Sequence, residues 1–152
     1  MGAVTYPNSD VQRYIEQHFV PVQFNVVEQP EVVDRFNSAW TPSLIVQDVE
    51  GREYRRSLGY LDPPRFLGEM ALARLLEGIH RRDFKTANHR SIEALELTKG
   101  DPDREPEALY FGSVAAYKAA NDAEKLKEGW NRLLDQFPES DWAKKAEFIR
   151  KS

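Results

Sequence analysis

Cysteine is absent from all 152 residues of this chain. Without a thiol, the chain can form no disulfide, no thiolate metal site and no cysteine nucleophile. It also has no apolar run near the roughly 18 residues of a membrane span, no glycine-rich phosphate loop and no serine in a nucleophile elbow. These absences favour a globular protein whose function does not depend on any of those chemistries.

Acidic residues slightly outnumber basic ones, 25 against 21, for a net charge of −4. Nucleic acid and anionic membranes both require a basic face, so neither is expected as a partner. The short run His80–Arg82 is typical of a solvated helix end. The first ten residues lack a basic region followed by an apolar one. No secretory signal is therefore expected, and the default location is cytoplasmic.

The first half of the chain alternates between helical and strand patterns. A first helix is predicted from a cap at Ser9 or Asp10, because apolar residues then follow on one face at helical spacing. Runs of β-branched and aromatic residues predict strands, and an aspartate and a glycine between two of them predict a hairpin. The predicted order is strand Phe19–Val27, helix from Pro30, strand Ser43–Val49, turn Asp48–Gly51, strand Arg52–Tyr60 and helix Pro64–Gly78.

The second half of the chain has helical periodicity and no strand pattern. The predicted helices are Asp83–Leu97, Pro106–Ala120, Ala123–Phe137 and a short one after Pro138. The chain is therefore expected to divide into an α/β domain, residues 1–78, and an all-helical extension, residues 79–152.

Several features, in order, resemble the thioredoxin superfamily across roughly residues 4–77. They are the strand "FVPVQFNV", the helix "PEVVDRF", the turn "WTP", the strand "SLIVQD" with its hairpin "VEG", and "LGYLDPPRFLGEM". The resemblance implies an α/β fold built on a thioredoxin-like sheet. It also implies that Thr41–Pro42 is the family's cis-proline turn, which faces the redox dithiol.

The chain departs from that family at the dithiol itself. The family's first strand and Cys-x-x-Cys motif would lie upstream of Ala3, so the thioredoxin-like sheet is expected to be incomplete. A thioredoxin-type step requires a thiolate, so we expect no redox activity from the chain. The missing strand would be central, between Phe19–Val27 and Ser43–Val49. We expect either that these two strands close up directly or that a second copy pairs with them in a homodimer.

The second half resembles tetratricopeptide-type (TPR-like) helical hairpins. The stretch "EALYFGSVAAYKAANDAEKLKEGWNRLLDQFP" carries small residues that let paired helices approach. Counted back from its final proline, large residues occupy the motif's large-residue positions, although Leu126 stands where alanine is usual. Such hairpins need about three units to stand alone. The resemblance therefore implies that they pack on the helix at residues 64–78. The large residues are Tyr110, Tyr117, Trp130 and Leu133.

The candidate binding site is a cis-proline platform formed by Trp40, Thr41, Pro42 and Tyr60. Its backbone, beside the two aromatic rings, would hold an extended peptide by strand-like pairing. The alternative interpretation is a turn that only seats the following strand, with Trp40 covering core. The aromatic residues of the helical half are interpreted as helix-packing core, with a concave peptide groove as the alternative. These are Tyr110, Phe111, Tyr117, Trp130 and Trp142.

No catalytic residue, metal site or cofactor is predicted. The three histidines, His18, His80 and His89, have no metal-ligand spacing and are interpreted as surface or helix-end residues. The leading hypothesis is a cysteine-free, redox-inactive module that binds a protein or peptide, or acts as a scaffold. The alternative is a fragment of a thiol-disulfide oxidoreductase whose Cys-x-x-Cys lies upstream of Met1. A third hypothesis is a structural assembly subunit.

Overall fold

The computed structural model of the chain describes residues 1–151. The fold is mixed α/β and about 60% helical, with a small two-stranded antiparallel sheet. The elements in order are α1 (Ser9–His18), α2 (Glu31–Phe36), β1 (Ser43–Gln47), β2 (Glu53–Leu58), α3 (Pro63–His80), α4 (Phe84–Thr98), α5 (Arg104–Ala120), α6 (Ala123–Gln136), α7 (Asp141–Ala146) and a 3-10 helix (Glu147–Lys151).

The chain forms two compact units, Met1–Leu67 and the residues from Gly68 onward. The division falls inside α3, before the domain boundary that was predicted after residue 78. Because α3 is one continuous helix through both positions, the domain prediction stays a prediction.

The first unit contains the antiparallel hairpin of β1 and β2, as predicted. Ser43 lies opposite Leu58 and Val46 lies opposite Arg55, with a bulge after Val46. The turn between the strands ends at Gly51, whose φ of 83° costs a glycine no steric strain. The hairpin therefore forms from local turn chemistry and strand propensity together.

The first helix begins with a cap that sequence reasoning placed wrongly. The side chain of Asn8, and not that of Ser9 or Asp10, accepts hydrogen bonds from the backbone N–H groups of Asp10 and Val11, at 3.0 and 3.2 Å. All three polar residues are good N-cap formers, so their ranking alone could not choose among them.

Phe19–Val27, predicted as a strand, forms no strand within residues 1–151. It leaves α1 as extended chain and ends in a turn, where the N–H groups of Glu28 and Gln29 donate to the carbonyl of Asn25. The segment has β propensity, but no neighbouring strand supplies the hydrogen bonds that would complete it. The expectation that it closes directly onto β1 is therefore wrong, since β1 pairs only with β2 among the described residues.

The second unit is a stack of helical hairpins. Helix α5 packs against both α4 and α6, and α7 packs against α5 and α6. The observed bounds of α4, α5 and α6 agree with the predicted ones to within two residues. The core between these helices includes Trp130, only 5% exposed, and the fully buried Leu133. This confirms the interpretation of Trp130 as a packing residue.

The helices of this unit are also joined by ion pairs. Arg74 on α3 pairs with Glu93 on α4, and Arg90 on α4 pairs with Glu77 on α3. A more buried pair lies at the start of α5, where Arg104 Nε is 2.6 Å from Oε1 of Glu69 on α3, a residue only 4% exposed. These pairs fix the register of α3 against its neighbours.

Candidate functional site

The Thr41–Pro42 peptide bond is cis, as the family resemblance implied. A small hydroxyl network holds the turn around it. Ser38 Oγ donates to Ser43 Oγ at 2.6 Å, and Ser43 Oγ donates to the carbonyl of Trp40. The two serines therefore brace the turn from both sides, and they leave Thr41 and Pro42 themselves exposed.

The aromatic residues beside the turn face solvent. Trp40 is 73% exposed and Tyr60 is 56% exposed. Trp40 therefore does not cover core, whereas the alternative interpretation of the turn, as one that only seats the following strand, stays a prediction. The N–H of Gly59 donates to the carbonyl of Pro42 at 2.8 Å, and Gly59 has a φ of 85° that suits only glycine well. This bond places the segment carrying Tyr60 directly beside the proline turn.

One edge of β1 is open. In an antiparallel ladder, hydrogen-bonded pairs alternate with pairs whose backbone groups point away from the partner strand. The Gly59–Pro42 bond marks a hydrogen-bonded pair, and Leu44 with Ser57 is the next one along the register. The backbone N–H and C=O of Ile45 therefore point away from β2. No residue in the range 1–151 forms a hydrogen bond with them.

The back of the site is anchored to α2. The guanidinium of Arg56 donates to the carbonyls of Phe36, at 2.8 Å, and Asn37, at 3.4 Å, which lie at the C-terminal end of that helix. It also pairs with both carboxylate oxygens of Glu53, at 2.7 and 2.8 Å. This hydrogen bonding lowers the pKa of Glu53 and raises that of Arg56. The strand next to β1 is thus tied to the helix that precedes the proline turn.

The far end of the hairpin is fixed by Asp48. Its carboxylate accepts from the Tyr54 hydroxyl at 2.7 Å and from the backbone N–H groups of Glu50 and Arg52. The hydrogen bond from Tyr54 is the main reason that the pKa of Asp48 lies below its ordinary value. The acidic residue that the sequence placed at a turn therefore has a structural role there.

The site thus joins all four residues predicted for the platform, Trp40, Thr41, Pro42 and Tyr60, at the open edge of a two-stranded sheet. Sequence reasoning missed Ile45, whose backbone supplies that edge. The sequence did contain a signal for Ile45. The turn at Asp48–Gly51 sets the register of the hairpin, and the register decides which β1 residues direct their backbone groups away from β2.

A cleft in the helical unit is a second concave feature. One stripe from each of α4, α5 and α6 lines it, and its volume is about 350 Å³. The floor comes from small residues of α5, with Gly112 against Ser91 of α4 and Ser113 against Gly129 of α6. The alternative interpretation of this half was a concave groove formed by aromatic residues, and none of those residues lines this cleft. Two of them pack against each other instead, with the ring centroids of Tyr110 and Trp130 4.8 Å apart.

The chain matches no protein-family model, and no curated protein or solved structure matches it significantly. Within residues 1–151, no three histidine, aspartate or glutamate side chains are grouped as metal ligands would be. In the same part of the chain, no helix combines the length and the apolar character needed to cross a bilayer.

Proposed function

We propose that the chain is a protein-binding module that holds an extended segment of its partner as an added strand on β1. The open edge of β1 carries this proposal. Strand addition uses unpaired backbone N–H and C=O groups for affinity and the neighbouring side chains for specificity. Ile45 offers the backbone groups, and Trp40 and Tyr60 offer exposed aromatic surface at the end of the same strand.

The neighbourhood of the edge supports this function in two ways. The hydroxyl network of Ser38 and Ser43 holds the proline turn in one arrangement before any partner arrives. The Arg56 contacts hold β2 to the end of α2 in the same manner. A site that is ordered in advance loses less conformational entropy on binding, which favours affinity.

A titration with a short synthetic peptide that alternates valine with lysine or threonine tests the proposal. Binding is expected to weaken about tenfold in Ile45→Pro, which removes one N–H from the open edge while leaving the pairing with β2. Trp40→Ala is expected to weaken binding too. Val49→Ala is the matched control for Trp40→Ala, because Val49 is also exposed but lies in the hairpin turn.

Two results would contradict strand addition on β1. One is that the alternating peptide does not bind, whether it carries lysine or threonine. The other is binding that Ile45→Pro leaves unchanged, because such a peptide would sit elsewhere on the chain.

The cis turn at Thr41–Pro42, next to an open sheet edge, also supports a second candidate function. In it, a further strand with a Cys-x-x-Cys motif completes the sheet, and the whole protein is a thiol-disulfide oxidoreductase. The coding sequence upstream of Met1 tests this directly. An in-frame strand pattern followed by Cys-x-x-Cys supports it, and an in-frame stop codon excludes it.

A further inference from the structure

The segment Val20–Phe24 has a strand-like sequence but no strand partner. It follows Phe19, whose backbone is extended, and its own backbone forms no hydrogen bond with any residue in the range 1–151. Apolar side chains alternate along it with Pro21 and Gln23, and they are exposed: Val20 by 91%, Val22 by 70% and Phe24 by 40%. An alternating apolar pattern of this kind is typical of a strand with one face buried, yet here that face is in solvent.

This segment matches the open edge of β1 in length. Both are five residues long, which at roughly 3.3 Å per residue gives each a span of roughly 17 Å. The same unit of the chain therefore contains an exposed apolar segment and an unpaired strand edge of equal length.

Pro21 allows one edge of the segment to pair with another strand and prevents the other edge from doing so. Successive residues of a strand direct their backbone groups to opposite edges, so Val20, Val22 and Phe24 share one edge and Pro21 and Gln23 share the other. Proline has no N–H and is tolerated only where that position faces away from a neighbouring strand. The edge of Val20, Val22 and Phe24 is therefore the one able to pair with Ile45.

Both ends of the segment are held where they are. At its start, the N–H of Phe19 donates to the carbonyl of Ile15 in α1 at 2.8 Å. At its end, the ring of Phe24 contacts the ring of Phe36 in α2, with centroids 5.8 Å apart. The segment is thus attached to helices of its own unit at both ends, and within that unit β1 pairs with β2 and not with the segment.

We propose that a second copy of this chain is the partner of the open edge, with Val20–Phe24 of each copy paired to β1 of the other. This inference rests on the proposed function, since it uses the same docking edge. The exchange is reciprocal, as a two-fold dimer requires, and in both copies it pairs the open edge of β1 with Val20–Phe24. It also brings three exposed apolar side chains per copy next to side chains of β1 across the new strand pair.

Proline variants of the full chain test which edge of the segment pairs. Val22→Pro removes the N–H that faces the partner, whereas Gln23→Pro removes one that faces away. Both positions are exposed and lie outside every helix and strand of the described chain, so both variants are expected to fold. In sedimentation equilibrium, Val22→Pro should raise the dimer dissociation constant at least about tenfold, and Gln23→Pro should leave it within about threefold.

A disulfide probe then identifies the contact, and the natural absence of cysteine makes it free of background. Val22→Cys and Ile45→Cys are purified separately and mixed under mild oxidation. We expect a disulfide-linked dimer between the two variants, and we expect much less when Ile45→Cys is mixed with Val49→Cys. A dimer without the Val22–Ile45 disulfide would overturn the exchange.

The remaining outcomes separate this inference from the proposed function. A chain that stays monomeric at high concentration, but whose edge still binds the alternating peptide, overturns the exchange and leaves peptide docking in place. A monomeric chain that binds no peptide overturns both.

Discussion

The closest helix contact in the second unit predicts a large effect for a small substitution. At Gly129 on α6, an added Cβ would lie 2.0 Å from Oγ and 2.7 Å from Cβ of Ser113 on α5. Real Cβ atoms do not approach other atoms so closely. The Ser113 hydroxyl cannot simply rotate away, because it donates to the carbonyl of Leu109 at 2.6 Å and its Cβ would still be too near. Gly129→Ala must therefore push α5 and α6 apart.

The expected change in the free energy of unfolding is the balance of two destabilising contributions and one stabilising contribution. Overpacking a tight helix contact costs about 1–3 kcal/mol, and loss of the Ser113 hydrogen bond costs about 1 kcal/mol more. Replacing a helical glycine by alanine returns about 1 kcal/mol of helix propensity. We expect Gly129→Ala to lower the free energy of unfolding by about 1–3 kcal/mol, measured by chemical denaturation followed by far-UV circular dichroism.

Two further variants make that measurement specific. Gly112→Ala is the matched control, since its Cβ would lie 3.3 Å from Ser91 Cβ, where a shift of a few tenths of an ångström is enough. It should be close to neutral. Ser113→Gly combined with Gly129→Ala moves the glycine across the contact and should recover most of the lost stability. A Gly129→Ala chain as stable as the parent would refute the α5–α6 packing described above.

Three other perturbations have expected outcomes. Arg104→Met should cost about 1.5–3 kcal/mol in denaturation, because it removes the guanidinium that hydrogen-bonds to the buried Glu69 carboxylate, and adding Glu69→Leu should restore much of this. Tyr54→Phe should raise the pKa of Asp48 in an NMR titration, since that hydrogen bond is the main cause of its lowering. The parent chain should therefore lose stability as the pH falls below about 4 and Asp48 is protonated, and Tyr54→Phe should reduce this dependence. Trp40→Ala should change the free energy of unfolding by less than about 0.5 kcal/mol, because the side chain is 73% exposed.

The helices and the hairpin were predictable because their signals are local. The bounds of α4, α5 and α6 follow from periodicity and from capping residues, such as Asp83 and Asp122, whose side chains accept the first free N–H groups. The hairpin follows from the turn at Asp48–Gly51. These features depend on residues within a few positions of one another.

The strand predicted at Phe19–Val27 does not form, and local signals could not reveal this. A run of β-branched residues indicates that a segment can form a strand, but the hydrogen bonds come from a neighbour elsewhere in the chain or in another chain. For the same reason, the sequence placed Trp40 at the proline turn without showing that its ring lies in solvent. Exposure depends on what packs above the turn, and nothing local to Trp40 determines that.

The candidate site was predicted in part. The sequence places Trp40, Thr41 and Pro42 in one turn, and the hydrogen bond from Gly59 to Pro42 brings the segment of Tyr60 beside it. Strand-like pairing was also predicted, but not the residue, because the proposed docking uses the backbone N–H and C=O of Ile45, an ordinary strand residue by its sequence. The register of the hairpin alone gives Ile45 its importance, and register becomes visible only when β1 and β2 are paired.

Amide hydrogen exchange of Ile45, followed by NMR with and without the alternating peptide, tests strand docking most directly. Leu44 is the internal control, because its N–H faces β2 and should exchange slowly in both states. In the dilute chain, the N–H of Ile45 should exchange fast, and saturating peptide should slow it at least about tenfold. Peptide binding that leaves Ile45 exchange unchanged would contradict the account.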